Sequence, residues 1–175
     1  MHHRIPRQPD PDQGSTPRAD HDARLGAELA AVLAGARRRA VRDGDRHIDS
    51  AHLLHSLLES DDEVRAAFDD GLRVARLLGY LVQRSIGYGL RWQSTVEDSG
   101  AIPVVTFAEG YSPLAASALE YAAYRAARRG DAEPGGIDLL AALLADPQAR
   151  AVEVVARAGI DTAELLQRLE PSPRP

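Results

Sequence analysis

Four leucines in two adjacent pairs occur twice in this chain. Leu53, Leu54, Leu57 and Leu58 return as Leu139, Leu140, Leu143 and Leu144, each 86 residues later (139 − 53 = 86). The same offset carries Leu33 onto Leu119, Ala36 onto Ala122, Ala40 onto Ala126 and Gly44 onto Gly130. Such an internal repeat restricts the fold more than composition does, because a duplicated unit is a supersecondary structure that packs against its own copy. Further along, Gly71 pairs with Gly159 at an offset of 88 (159 − 71 = 88), and Leu77-Leu78 pairs with Leu165-Leu166 at the same offset. The second copy is therefore expected to carry two extra residues.

The repeated unit reads as helical. Leu25, Leu29, Val32, Leu33, Ala36 and Ala40 recur at three- and four-residue spacing, which predicts one buried face of a helix over 22–43, ended by Gly44. Asp49 or Ser50 is placed to cap a second helix reaching Glu59, and Ser60-Asp61-Asp62-Glu63 reads as a capping box opening a third. Gly71 is expected to stop that helix, and Leu72, Leu77, Leu78, Leu81, Val82 and Ile86 mark a fourth. The second copy opens at Ser112-Pro113, an N-cap followed by proline at the first helical position, and its first helix runs to Arg129 ahead of Gly130. Helices from Gly136 to Leu144, from Asp146-Pro147 to Gly159, and from Asp161 through Leu169 complete it.

The expected fold is all-α: two tandem four-helix repeats with pseudo-twofold symmetry, at 22–86 and 111–170. A Pro-containing tail over 1–21, with almost nothing apolar, is expected to be disordered, and 171–175 forms a second short tail. Between the copies, 87–110 places Trp92, Val96, Ile102, Val104, Val105 and Phe107 around Glu97-Asp98-Ser99-Gly100, which suits a short β-hairpin or an ordered loop.

What is missing bears on function. There is no Cys, which removes disulfides, thiol catalysis and Cys-ligated metal. There is no Lys either, so a P-loop and Schiff-base chemistry are excluded; all 21 basic residues are Arg. The net charge of −5 argues against a general nucleic-acid binder. No apolar run is long enough to span a membrane and no secretory signal precedes the repeats, so a cytoplasmic location is expected.

The doubled pattern resembles the Clp repeat domain, the N-terminal domain of ClpA- and ClpC-type AAA+ unfoldases. The first copy carries it as Arg46-His47-Ile48-Asp49-Ser50-Ala51-His52-Leu53-Leu54, and Ile86-Gly87-Tyr88-Gly89 is similar to the end of the family's first repeat. The second copy carries it as Tyr111-Ser112-Pro113 and Gly135-Gly136-Ile137-Asp138-Leu139-Leu140. The resemblance covers about residues 24 to 170 and implies a free-standing, non-catalytic module that needs no cofactor. Its implied partners are Clp unfoldase or protease components or client proteins, with the chain acting as adaptor, decoy or regulator. An alternative is sequestration of a cyclic, peptide-like small molecule or antibiotic in the groove between repeats. The implied groove residues are Leu25, Ser50, Ala51, Tyr111, Ser112, Gly136 and Ile137. Ala51 and Ile137 stand where the family has the glutamates that help bind phosphorylated arginine. Neither can pair with a guanidinium, so loss of that ligand is implied.

Other candidates have simpler explanations. His47, His52 and His55 cluster, and His52 and His55 share a helical face, yet without Cys or carboxylates at ligand spacing they read as packing or capping residues and no metal is expected. Arg37, Arg38, Arg39 and Arg42 complement a helix C-terminus. Asp61, Asp62, Glu63, Asp69 and Asp70 fall at helix ends, and no nucleophile-base spacing is present. Tyr111 offers a rigid aromatic surface at the groove or fills the seam between repeats. For Trp92 packing is preferred, and Tyr121 and Tyr124 extend the aromatic set.

Overall fold

The computed structural model describes residues 25–85, 96–97 and 110–170. The first three residues expected in the opening helix, both tails and nearly all of the expected inter-repeat hairpin lie outside the described residues. Two four-helix units make up the rest. The first holds α1 (Gly26–Asp43), α2 (Ser50–Ser60), α3 (Asp62–Ala67) and α4 (Gly71–Ser85). The second holds α5 (Pro113–Arg129), α6 (Gly136–Ala145), α7 (Arg150–Arg157) and α8 (Thr162–Leu169). No helix among the described residues is long and apolar enough to cross a membrane.

The repeated leucines explain the arrangement. All eight are buried, and α2 is buried from Ser50 through Leu58. A helix that is apolar on all sides must lie inside. Accordingly α2 packs against α1, α3 and α4 of its own unit and against α5, α6 and α7 of the other, while α6 packs against α5, α7 and α8 of its own and α2 and α3 of the first. The two units thus share one core. Each buried leucine contributes roughly 1.5–3 kcal/mol of transfer free energy.

The helix ends follow local chemistry in both copies. Gly44 (φ 71°) and Gly130 (φ 84°) take the left-handed conformation, and the next residue donates back to Ala40 O and Ala126 O at 3.0 and 2.9 Å. Three boundaries differ from the sequence expectation. Ser60 ends α2, its Oγ donating to Ser56 O at 2.7 Å, and the cap of α3 is Asp61, whose carboxylate accepts from Glu63 N and Val64 N. Gly71 opens α4 instead of stopping α3; the chain turns at Asp69, which adopts φ 59°. Asp69 is therefore the positional equivalent of Gly159 (φ 79°), because aspartate tolerates the left-handed region that usually selects glycine. Finally, Asp146 closes α6 and accepts from Gln148 N, so α7 begins later, at Arg150.

Candidate functional site

The central helices α2 and α6 each begin at a junction where the other unit meets their first turn. At the first junction, the segments entering α2 and α5 pair as a parallel bridge: Ile48 N donates to Gly110 O at 2.8 Å, and Ser112 N to Ile48 O at 2.9 Å. Glu97 is inserted beside this bridge and buried. Its Oε1 accepts from Ser50 N (2.8 Å) and Ser112 Oγ (2.9 Å). Its Oε2 accepts from Ser50 Oγ and from Arg150 N (2.7 Å). The two serines also accept: Ser50 Oγ takes Ala151 N at 2.9 Å, and Ser112 Oγ takes Ala115 N at 3.1 Å. One carboxylate thus gathers the N-termini of α2, α5 and α7, each of which presents orphan N–H groups and a positive dipole end. Burial pushes the Glu97 carboxyl above the usual carboxylate range, with the Asp49 charge adding to the effect and hydrogen bonds from Ser50 and Arg150 opposing it. Arg150 Nη1 in turn donates to Asp49 Oδ2 at 2.9 Å, tying α7 to the α2 cap.

At the second junction Glu28, in the first turn of α1, accepts from Gly136 N, the first residue of α6, at 3.2 Å. Asp61 lies directly against Gly136; a Cβ there would overlap the Asp61 carboxylate. The Gly136 N–H favours ionised Glu28, but partial burial and the neighbouring Asp61 and Glu63 carboxylates outweigh it, and the net shift is upward.

Side chains behind these junctions hold the helix starts in place. Asp49 Oδ1 accepts from His52 N at 2.9 Å while His52 Nδ1 accepts from Asp49 N at 3.0 Å, a reciprocal capping box with histidine as its third residue. Because Nδ1 accepts, the neutral ring carries its proton on Nε2, which meets Asp45 at 2.8 Å. Asp43, Asp45 and His52 approach one another closely enough to hold a cation, but in this tautomer Nε2 offers a proton and not a lone pair. In the second copy Asp138 occupies the corresponding position. It accepts from Gly135 N at 2.9 Å and from Arg129 through both terminal nitrogens, with Arg125 Nε at 3.4 Å. Burial alone would raise Asp138, but the Arg129 hydrogen bonds, the Gly135 N–H and the two guanidinium charges hold it below its ordinary value. The same pair holds the Arg129 guanidinium above its own.

The structure brings Ser50 and Ser112 together on Glu97, and Tyr111 sits next to them, its ring under the Arg37 guanidinium (6.0 Å) and its hydroxyl accepting from Arg37 at 3.3 Å. Leu25 and Ala51 are packed in the core, and Gly136 lies at the second junction. Six of these seven residues are buried, and Ile137 is half-buried. Tyr121 and Tyr124 lie elsewhere, exposed and stacked at 6.1 Å, with Tyr121 rimming an open depression of about 510 Å³ also lined by Leu114, Ala118 and Pro147. Trp92 is outside the described residues. Sequence reasoning missed Glu97 and Glu28. Both act across long separations, and the only local signal was a helix start without its own capping side chain, at Ala149 and at Gly135.

No protein-family model matches the sequence, and a search of the curated proteins finds no match to it. The fold, by contrast, is that of a Clp N-terminal domain. The N-terminal domain of ClpD, a caseinolytic protease associated chaperone of Arabidopsis thaliana, superposes with a TM-score of 0.57 over 84% of this chain and 92% of that domain. At 14% identity the likeness is one of fold.

Proposed function

We propose that this chain is a non-catalytic binding module of the Clp N-domain type, which takes a protein or peptide partner and serves a Clp protease or chaperone as adaptor, decoy or regulator. The observation that carries this is the near-complete coverage of the ClpD N-terminal domain by the doubled helical fold. The chemistry of the junctions supports it. Glu97, Glu28, Asp61, Asp49 and Asp138 are engaged at helix termini, which accounts for these acids without a reacting group. The partner-binding face is the one marked by Leu25, Ser50, Ala51, Tyr111, Ser112, Gly136 and Ile137. Of these, Ile137 reaches the surface furthest, half-buried against the shared core, and the other six are buried.

The test is direct titration of the labelled chain with the host's purified Clp unfoldase, alone and with its peptidase, followed by fluorescence anisotropy. Saturable binding that Ile137→Arg weakens about tenfold or more, with the circular dichroism spectrum unchanged, is the expected result. An anisotropy that stays flat up to about 100 µM with every Clp component and with unfolded client peptides would remove the Clp reading.

A further inference from the structure

We infer that a protonated Glu28 carboxyl supplies the donor for the buried Asp61 Oδ2 at the start of α6, making the second junction a proton-operated latch between the repeats. The starting point is Asp61. It is 9% exposed, and its Oδ1 already serves Glu63 N (2.9 Å) and Val64 N (3.1 Å). Its Oδ2 is buried and meets no donor among the described residues. A buried acceptor without a donor is rare in folded proteins and requires an explanation. Gly136 supplies none, since it has no side chain and its N–H is given to Glu28, and the neighbouring Val64 methyl is apolar. The Glu28 carboxyl meets the same residue from the other side, its Oε1 on the Gly136 N–H at 3.2 Å while the Asp61 carboxylate lies against the Gly136 Cα. As a carboxylate it repels Asp61; as a carboxylic acid it donates to Oδ2 while its other oxygen keeps the Gly136 N–H.

The surroundings favour the proton. Asp61 and Glu63 face Glu28 from α3 and its cap, the Gly136 N–H faces it from α6, and the Glu133 carboxylate packs against Gly26 in the same turn of α1. Against the pull of the Gly136 N–H, partial burial and the neighbouring Asp61 and Glu63 carboxylates raise the Glu28 carboxyl above its ordinary value. The sign follows. A carboxyl raised in the folded state contributes stability that is complete below its unfolded value near 4.5 and is lost as pH rises through the folded value. Deprotonation removes the donor to Asp61 Oδ2 and sets the Glu28 charge against Asp61 and Glu63, which loosens the contact of α1 with the α3 cap across Gly136.

Carboxyl carbon titration by NMR on the full chain tests this without reference to any partner. The Glu28 side chain is expected to inflect above 4.5, with the Gly136 amide shift following the same step. Two substitutions place a permanent donor where the proton sits. Glu28→Gln donates to Asp61 at every pH, and Asp61→Asn keeps Oδ1 as the α3 cap while its amide donates to ionised Glu28. Both are expected to flatten the fall in Tm between about pH 5 and 8 relative to wild type. Glu97 titrates in all three proteins, so the difference isolates the pair. A Glu28 inflection at or below 4.5, or Tm profiles of both variants parallel to wild type, would overturn the inference.

Discussion

The two junctions face the same problem and distribute its solution differently. At each, a central helix starts against a second helix from the other unit, and both present unpaired amides. In the first junction α7 has alanine at its cap position, Ala149, and no capping side chain of its own. The side chain comes from the facing helix: Ser50 Oγ takes Ala151 N, and Glu97 takes Arg150 N. In the second junction the roles are exchanged. The helix equivalent to α7 is α3, and it caps itself through Asp61, which takes Glu63 N and Val64 N. The residue equivalent to Ser50 is Gly136, whose side-chain volume is occupied by Asp61. A polar side chain has in effect moved from one partner of the contact to the other. The first arrangement saturates one carboxylate with four donors; the second leaves two acids facing each other across a single N–H.

That difference predicts unequal costs when the bridging acid is removed. Glu97→Ala strands two amides and two hydroxyls in a buried site, each worth about 1 kcal/mol or more, so the expected loss is about 4 kcal/mol and a Tm fall of about 10 °C. Glu28→Ala removes an exposed side chain holding one amide, and about 1 kcal/mol is expected. Urea denaturation of both variants checks the ratio. Equal losses would mean that water enters the first junction and that the two are not different in kind.

The exchange of side chains sets a second test. Gly136→Ala forces a methyl into the Asp61 carboxylate and is expected to cost about 2 kcal/mol, as overpacked sites do. In an Asp61→Ala background only the Val64 methyl, 3.2 Å from the new Cβ, still crowds it, and the cost is expected to fall below about 1 kcal/mol, a coupling of about 1 kcal/mol or more in a double-mutant cycle. Additive effects would show that Asp61 and Gly136 do not compete for one volume.

The amount legible in the sequence divides along the same line. Periodicity and local caps act within a few residues, and they are written plainly: the paired leucines mark α2 and α6, Gly44 and Gly130 mark the helix stops, and Ser112-Pro113 marks the start of α5. The errors are also local. Ser60 and Asp61 are both good caps in adjacent positions, and Gly71 is as compatible with a helix start as with a stop. The junction chemistry was not legible, because Glu97 reaches residues 47 and 53 positions away in sequence and Glu28 reaches across 108. The family resemblance pointed to Ser50, Ser112 and Gly136, but nothing in the sequence pairs them with their carboxylates. A helix whose cap position is alanine or glycine asks where its amides go, and that question, put to Ala149 and Gly135, is the signal that leads to both acids.

The smallest expected effect lies at the turn after the third helix of each copy, where Asp69 and Gly159 adopt nearly the same left-handed backbone at φ 59° and 79°. Gly159→Ala puts a Cβ into that conformation with no other group within 4 Å, so the cost is conformational alone, about 1 kcal/mol. Asp69→Gly removes the same kind of strain but also an exposed ion pair with Arg168 of α8, worth less than about 1 kcal/mol. The net change at Asp69 is therefore expected to lie within about 0.5 kcal/mol of zero. Thermal unfolding at low and high salt separates the two contributions. Screening weakens the ion pair of the wild type and leaves Asp69→Gly unaffected, so the variant is expected to gain relative stability as salt rises. No such gain would mean that Arg168 contributes nothing at this contact and that aspartate is held at φ 59° by backbone constraints alone.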